Sequence, residues 1–177
     1  ATMMLGTAKR RLGDDSAAHA TIDKVQQKLV QAGTEIRQLS HDLHPPALQE
    51  AGLPDALRSH CEQFGASCGI PIVCDADDRV HDLSRGAALA LFRIVQEALG
   101  NAAKHSRATR ITVGLTRSAN EVTLAVSDNG AGFDRSRLTT SGGLGLITMR
   151  ERAGQLNGKF EFDTAPGRGT TITVVIP

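Results

Sequence analysis

The sequence predicts an α/β domain preceded by a helical hairpin. In the first third of the chain, apolar residues recur with heptad spacing, which indicates paired helices. Beyond it, short runs of alternating apolar and polar residues, typical of strands, are interleaved with segments of helical periodicity. We therefore divide the 177 residues into a hairpin over residues 1–50 and an α/β domain over residues 51–177.

The composition argues against several classes of partner and site. A formal net charge of +1 does not suit duplex DNA, and a chain without Trp or Tyr offers little surface for stacking bases, so we expect no nucleic-acid partner. The three cysteines lack a C-x-x-C spacing, which indicates neither a disulfide framework nor a zinc site, and free thiols suit a reducing cytosol.

No apolar run in the chain approaches the ~18 residues of a membrane span, and no signal peptide is present. We therefore expect a cytoplasmic fragment with no membrane contact of its own. The chain begins with Ala1 rather than Met, which suggests a piece of a longer protein that could itself be anchored in a membrane.

The heptad seam predicts a long helix that ends at Pro45-Pro46. Its apolar positions recur at alternating steps of three and four: Ile22, Val25, Leu29, Ala32, Ile36, Leu39 and Leu43. Residues 1–12 share this spacing, and residues 13–16 read as the break between the two helices. Since a single core helix would usually show a wider apolar face, we predict dimerisation into a four-helix bundle.

The two arms of this hairpin are unequal, because the second, residues 22–44, is much longer than the first. Its far end therefore lacks an opposite helix, and we predict that the residues that belong beside it precede residue 1. His41 and His44 fall in this far end. We interpret them as a solvated bundle residue and a helix-end group rather than as reactive histidines.

The α/β part begins with a helix from Pro54 to about Gly65 and a strand from Ile70 to Cys74. Ser84 is the predicted N-cap of a long helix that reaches about Ser106. Its apolar side contains Leu91, Val95, Ala98, Leu99 and Ala102.

A second side of this long helix carries a polar group, namely Glu97, Asn101, Lys104 and His105. An amide oxygen near a carboxylate suits Mg²⁺, and an ammonium and an imidazole suit phosphate oxygens. An ordinary solvated helix face gives the same pattern, and the periodicity alone does not decide between them.

A strand over residues 121–127 ends at Asp128, whose carboxylate could accept a hydrogen bond from the exocyclic amine of adenine. Gly130 and Gly132 would let a flat ring or a ribose approach the backbone closely. The Asn-Gly pair is also a strong hairpin signal. The polar, flexible stretch that follows does not read as a second strand, which weakens the hairpin interpretation.

A glycine-rich stretch over residues 142–146 precedes a predicted helix over residues 147–156. Backbone N–H groups at such a helix entry can bind an anion, although an ordinary helix-entry loop fits equally well. Gly158 ends the helix, and strands around Phe160 and over residues 170–176 complete the chain.

Four of these motifs follow one another at short separations. They are E-x-x-x-N-x-x-K-H over residues 97–105, D-N-G-A-G-F over 128–133, G-L-G-L over 143–146 and G-T at 169–170. In this order they resemble the N, G1 and G2 boxes of the ATP-binding domain shared by histidine kinases, gyrase, Hsp90 and MutL.

Two further stretches resemble sensor histidine kinases of the nitrate-sensor and DesK-like subfamily. Residues 145–152 have that subfamily's form, and residues 36–45 resemble the end of its second dimerisation helix. The similarity extends from about residue 22 to residue 177. It implies a two-layer α/β sandwich of the Bergerat or GHKL type, a mixed sheet with helices on one face, preceded by the dimerisation hairpin.

The resemblance also implies the cofactors ATP and Mg²⁺ and a role for each motif residue. Asp128 would hold the adenine amine, with Thr170 near the adenine and Gly130 and Gly132 beside the base and ribose. Asn101 would bind Mg²⁺ as the metal ligand. Glu97 takes the position of the general base in related ATPases. The phosphates would meet Lys104, His105 and a short lid that ends in Gly143, Leu144 and Gly145.

The implied activity is that of a protein-histidine kinase, a homodimer through its hairpin, which passes the phosphoryl group to a response regulator. In this subfamily the acceptor histidine is followed by an acidic residue and, four positions on, by Gln or Arg. His41 has Pro45 at that fourth position and His44 precedes Pro45 directly, so neither fits. We expect the acceptor upstream of residue 1 and a fragment unable to phosphorylate itself.

Two other functions fit part of the pattern. An anti-sigma-factor serine kinase shares the ATP boxes but has no long heptad hairpin before them. A dimerisation scaffold whose nucleotide pocket only regulates shape would need no catalysis.

Overall fold

The computed structural model describes residues 46–134 and 144–177. Residues 1–45 of the predicted hairpin, with His41 and His44, and the glycine at position 143 lie outside the described residues. The chain divides into two compact units between residues 45 and 46. The helix Pro46–Glu50 therefore belongs to the α/β unit, whereas the division made from the sequence assigned it to the hairpin.

The α/β unit contains four described α-helices and five strands. The helices are α1 Pro46–Glu50, α2 Gly52–Cys68, α3 Arg85–Asn101 and α4 Leu144–Gln155. The strands are β1 Ile72–Ala76, β2 Ile111–Arg117, β3 Val122–Asp128, β4 Lys159–Thr164 and β5 Thr170–Ile176. Within the described ranges, no helix is long and apolar enough to cross a membrane.

The strands form one mixed sheet in the order β1-β2-β3-β5-β4. β1 runs parallel to β2, and the other neighbours are antiparallel. The β3–β5 register pairs Asp128 with Thr170. Two residues that lie far apart in the sequence therefore stand side by side at one end of the sheet.

The alternation seen in the sequence decides which face of the sheet is buried. Ile111, Val113 and Leu115 of β2 are buried, whereas Thr112 and Thr116, which point to the other face, are exposed. The three long helices pack on the buried face, α2 against β1, α3 against β3 and α4 against β4 and β5. This arrangement confirms the predicted sandwich of one mixed sheet and one helical layer.

Helix α3 begins as predicted, because Ser84 caps its first turn through a hydrogen bond from Ala87 N to Ser84 Oγ (3.2 Å). Its end differs from the sequence prediction. The α-helix stops at Asn101 and continues as one turn of π-helix, Ala102–Ser106. The buried Ser106 Oγ donates to Ala102 O (2.7 Å) and accepts from Ala108 N (3.0 Å), which stabilises this wider turn and the exit from it.

The predicted boundaries of two other elements also shift. The first long helix begins at Gly52, not at Pro54, and runs to Cys68, where Gly69 ends it in the left-handed conformation (φ +71°). The first strand begins at Ile72 rather than Ile70.

Asp77 organises the loop between β1 and α3. Its carboxylate accepts hydrogen bonds from Arg79 N (2.9 Å) and Arg117 N (3.4 Å) and from the Arg79 guanidinium (2.7 Å). The hydrogen bonds from Arg79 come first among the causes that hold the pKa of Asp77 well below its usual range.

We predict that Asp77→Asn destabilises the fold at neutral pH and that the difference from wild type narrows as the pH falls below about 4. Because the pKa of Asp77 is lower in the folded than in the unfolded state, its carboxylate stabilises the fold fully above the unfolded-state pKa of about 3.9. This stabilisation declines as the pH falls from there toward the folded-state pKa. Urea unfolding from pH 7 to about pH 2 measures it. Asp75→Asn, at an exposed position on β1, is the matched control, and curves that stay parallel in acid would contradict the assignment.

Candidate functional site

A cavity of about 770 Å³ opens among the end of α3, the π-turn, the ends of β3 and β5, and the start of α4. This volume is in the range of small-molecule sites. Six of the residues that the sequence singled out line it: Asn101, His105, Asp128, Gly132, Gly145 and Thr170. The separate motifs therefore meet at one place.

Four other candidates do not line the cavity. Glu97 is hydrogen-bonded to Asn101, Lys104 is exposed on the π-turn and Gly130 packs against Ser106. Leu144 is 74% exposed at the start of α4.

The apolar lining and part of the rim were not assigned to the site from the sequence. These residues are Ala98, Ala102, Ser106, Val126, Phe133, Asp134, Leu146, Pro166 and Ile172. The signal for some of them was present. Val126 and Ile172 stand two positions from Asp128 and Thr170, so the period of a strand places them on the same face. The contribution of Pro166, from the turn before β5, has no comparable signal.

Asp128 lies at the last position of β3 and is half-buried. Its Oδ1 accepts a hydrogen bond from Gly130 N (2.8 Å), which fixes the side chain beside its strand partner Thr170. The carboxylate therefore presents a hydrogen-bond acceptor to an otherwise largely apolar end of the cavity.

The side chain of Asn129 anchors the loop after β3 to the segment before β2. Its Oδ1 accepts from Thr109 N (2.9 Å) and Arg110 N (3.0 Å), and its Nδ2 donates to Thr109 Oγ1 (2.9 Å). The Asn-Gly pair is thus not a two-residue hairpin, since β3 pairs with β2 before it and with β5 much later in the chain.

The glycines of this loop make room for the protein's own backbone. A Cβ at Gly130 would lie 2.3 Å from Ser106 O, and one at Gly132 (φ +56°) would lie 2.0 Å from Ala165 O. The two glycines therefore have a structural reason beside the one inferred from the sequence, that they let a ligand approach. Gly132 still lines the cavity, but Gly130 is glycine because the π-turn occupies the space of a side chain.

Asn101 and Glu97 form a pair one turn apart on α3. Asn101 Nδ2 donates to Glu97 Oε1 (3.2 Å), which directs the amide oxygen away from Glu97. A Cβ on Gly145 would lie 2.1 Å from Glu97 Oε1 and 3.0 Å from Asn101 Nδ2, so the start of α4 packs directly against this pair. The arrangement fits a hard cation at the Asn101 oxygen, because such cations prefer oxygen ligands.

Thr164 connects β4, β5 and the loop after β3. Its buried hydroxyl accepts from Phe133 N (3.1 Å), donates to Gly169 O (2.9 Å) and lies 3.1 Å from the Thr170 hydroxyl. The Phe133 ring stacks on Phe162, with centroids 6.3 Å apart. The rim of the cavity near Asp128 is therefore held by the sheet itself.

Gly169 has the tightest surroundings near the cavity. Its φ is +70°, and a Cβ there would lie 1.9 Å from Asp128 O. Any side chain at this position would therefore push β5 away from the end of β3.

Comparison with known families gives one match over residues 86–177, to the family described as histidine kinase-, DNA gyrase B-, and HSP90-like ATPase. Among curated proteins, the chain is 39% identical over 177 residues to the sensor histidine kinase MctS of Rhizobium johnstonii, covering 99% of this chain and 38% of that protein. It is 34% identical over 152 residues to the signal transduction histidine-protein kinase/phosphatase DegS of Brevibacillus brevis, covering 85% of this chain. The chain thus spans 38% and 39% of the lengths of these two relatives.

Solved structures share the fold at low sequence identity. The histidine kinase domain of the blue-light activated histidine kinase from Erythrobacter litoralis EL346 matches with a TM-score of 0.66 and 18% identity, covering 99% of this chain and 91% of that one. Full-length ShkA, solved in complex with AMPPNP, matches with a TM-score of 0.61 and 19% identity, covering 92% of this chain and 39% of that one.

We predict that Gly169→Ala destabilises the fold more than Gly167→Ala does. Both glycines have positive φ (+70° and +77°), but nothing lies within 4 Å of a Cβ at Gly167. Gly167→Ala should cost only the conformational term of about 1–2 kcal/mol. Gly169→Ala adds a clash that typically costs about 1–3 kcal/mol more. Urea unfolding of both variants measures the difference, and equal losses would show that β5 relaxes away from Asp128 without cost.

Proposed function

Because the chain belongs to the family of histidine kinase-, DNA gyrase B- and HSP90-like ATPases, we propose that its cavity binds Mg-ATP and that it is the catalytic region of a sensor histidine kinase. The observation that carries this proposal is the placement of Asp128 and Asn101 in one cavity, an acceptor on the sheet and an amide on the helix. The named relatives favour a sensor histidine kinase over an anti-sigma-factor kinase.

The sheet end of the cavity suits a purine that carries an amino group. Val126 and Ile172 supply an apolar surface for the ring, and Asp128 supplies the acceptor for the amine. A carboxylate beside apolar side chains accepts such a bond with little competition from water, which favours selective binding. Thr170, next to Asp128, is assigned to the same end.

The helix end of the cavity suits the phosphates and their cation. Asn101 would hold Mg²⁺, which neutralises phosphate charge during phosphoryl transfer. We assign Glu97 to keeping the Asn101 amide oriented, since the two side chains are already bonded. His105 reaches the cavity and Lys104 lies next to it in the π-turn, so we assign both to the phosphate side, with Gly143, Leu144 and Gly145 at the lid.

In the proposed reaction, a histidine ring nitrogen attacks the γ-phosphorus of ATP while the bond to the β–γ bridging oxygen breaks and ADP leaves. Little covalent help is required from the protein, because alignment and charge neutralisation supply most of the catalysis. The acceptor histidine would lie on a dimerisation helix, and the phosphoryl group would pass to an aspartate of a response regulator. We place this activity in the cytoplasm, where ATP is available.

We predict that Asp128→Asn weakens ATP binding about 10- to 100-fold while the fold remains intact. The neutral amide loses the charged hydrogen bond to the amine, which is worth about 1.5–3 kcal/mol. Isothermal titration with ATP, with and without Mg²⁺, measures the loss. Asp163→Asn, at an exposed position on β4, is the matched control. ATP affinity that is unchanged in a folded Asp128→Asn protein would refute the assignment of the adenine amine.

A phosphotransfer assay in trans distinguishes a catalytic kinase region from a scaffold that binds nucleotide without catalysis. We expect the chain, mixed with radiolabelled ATP, Mg²⁺ and the first dimerisation helix of a full-length relative, to place acid-labile phosphate on that helix. Asn101→Ala should abolish the transfer and the Mg²⁺ dependence of ATP binding while binding in EDTA persists. Tight ATP binding by wild type without transfer would favour the scaffold.

A further inference from the structure

The hydroxyl group of Thr164, at the end of β4, has a complete set of hydrogen bonds. The residue is 7% exposed and does not line the cavity. Its Oγ1 lies 2.9 Å from Gly169 O and 3.1 Å from Phe133 N. Since a carbonyl oxygen only accepts and an amide N–H only donates, Thr164 must donate to Gly169 and accept from Phe133.

This assignment fixes the direction of the third contact, between Thr164 Oγ1 and Thr170 Oγ1 (3.1 Å). A hydroxyl has one hydrogen, and that of Thr164 is used on Gly169 O. The hydrogen between the two hydroxyl groups therefore belongs to Thr170. With it directed at Thr164, Thr170 presents only oxygen lone pairs to the cavity.

Thr170 is the strand partner of Asp128, and both side chains line the cavity. Directly opposite residues on one face of an antiparallel pair have Cβ atoms about 4.5–5.5 Å apart. A carboxylate is also an acceptor without a hydrogen to donate. This end of the cavity therefore offers two adjacent acceptors, and the second is an acceptor only because Thr164 orients it.

We propose that Thr164 is a specificity-determining positioning residue that makes the cavity prefer 6-amino purines to 6-oxo purines. The inference rests on the proposed function, since it concerns the base of the bound nucleotide. A 6-amino group brings two hydrogens to the two acceptors, whereas a 6-oxo group brings lone pairs against lone pairs. Without the Thr164 hydroxyl, Thr170 can rotate its hydrogen into the cavity and donate to a 6-oxo group.

The test compares the Kd of ATP with that of inosine triphosphate, which has an oxygen in place of the amine at position 6. Wild type should bind ATP more tightly by about tenfold, the worth of roughly one charged or two neutral hydrogen bonds. In Thr164→Val, which keeps the shape and removes the hydroxyl, this preference should fall by roughly three- to tenfold. The ratio of the two Kd values reports selectivity and is insensitive to a general loss of affinity.

Two further variants separate orientation from structural damage. Thr164→Ser retains the hydroxyl and should keep the wild-type preference. Thr171→Val makes the same chemical change on β5, where Thr171 Oγ1 bonds Ser127 Oγ (2.8 Å) outside the cavity lining, and should also keep it. Thermal unfolding identifies the variants that are folded under the conditions of the titration.

The outcomes distinguish this inference from the function on which it rests. A folded Thr164→Val protein with the wild-type preference would overturn the inference, and so would a Thr164→Ser protein that loses it. If Thr164→Val does not fold, Thr164→Ala makes the same test, since it also removes the hydroxyl group and should lower the preference equally. Wild type that binds both nucleotides equally would overturn the inference and leave nucleotide binding intact. Wild type that binds neither would overturn the proposed function instead.

Discussion

The pairing of β3 with β5 is the constraint on which the site depends. Its register places Asp128 opposite Thr170, and Gly169 fits against the Asp128 carbonyl with no space for a side chain. The same register aligns Val126 with Ile172, which form part of the apolar lining. One strand pair thus supplies both the polar group and the apolar surface at one end of the cavity.

The other end depends on how helix α3 finishes. The α-helix positions Asn101 and Glu97 one turn apart, and the π-turn that follows turns His105 to the cavity. Ser106, bonded to Ala102 and Ala108, closes that turn, while its carbonyl oxygen accepts from Ala131 N (2.7 Å). The helix end and the loop after β3 are therefore built around one serine, although they come from different motifs.

The sequence was sufficient for features that repeat with a period or follow a local rule. Alternation in β3 predicted the buried face of that strand, and Ser84 predicted the start of α3, whereas β2 was not predicted. The spacing of apolar residues did not show the π-turn, because a single turn with one extra residue leaves no distinct pattern in the sequence. Nor did it reveal the partners of Gly130 and Gly132, since a glycine in a sequence does not indicate which atoms approach it. Thr164 escaped notice because its hydroxyl group bonds both to the start of β5 and to the loop after β3, and the sequence does not show that these two segments meet.

The tight packing around Gly130, Gly145 and Gly169 bears on how such motifs change over time. Each glycine accommodates a neighbouring carbonyl or carboxylate of the chain itself, so folding alone is enough to preserve it. A descendant that had stopped using nucleotide would still be selected to retain these glycines as long as it folded. Asp128 at the end of β3 and Asn101 at the end of α3 each make one hydrogen bond within the chain, but replacing either by a smaller side chain creates no clash. Loss of those two, with the glycines intact, would be the signature of a degenerate copy.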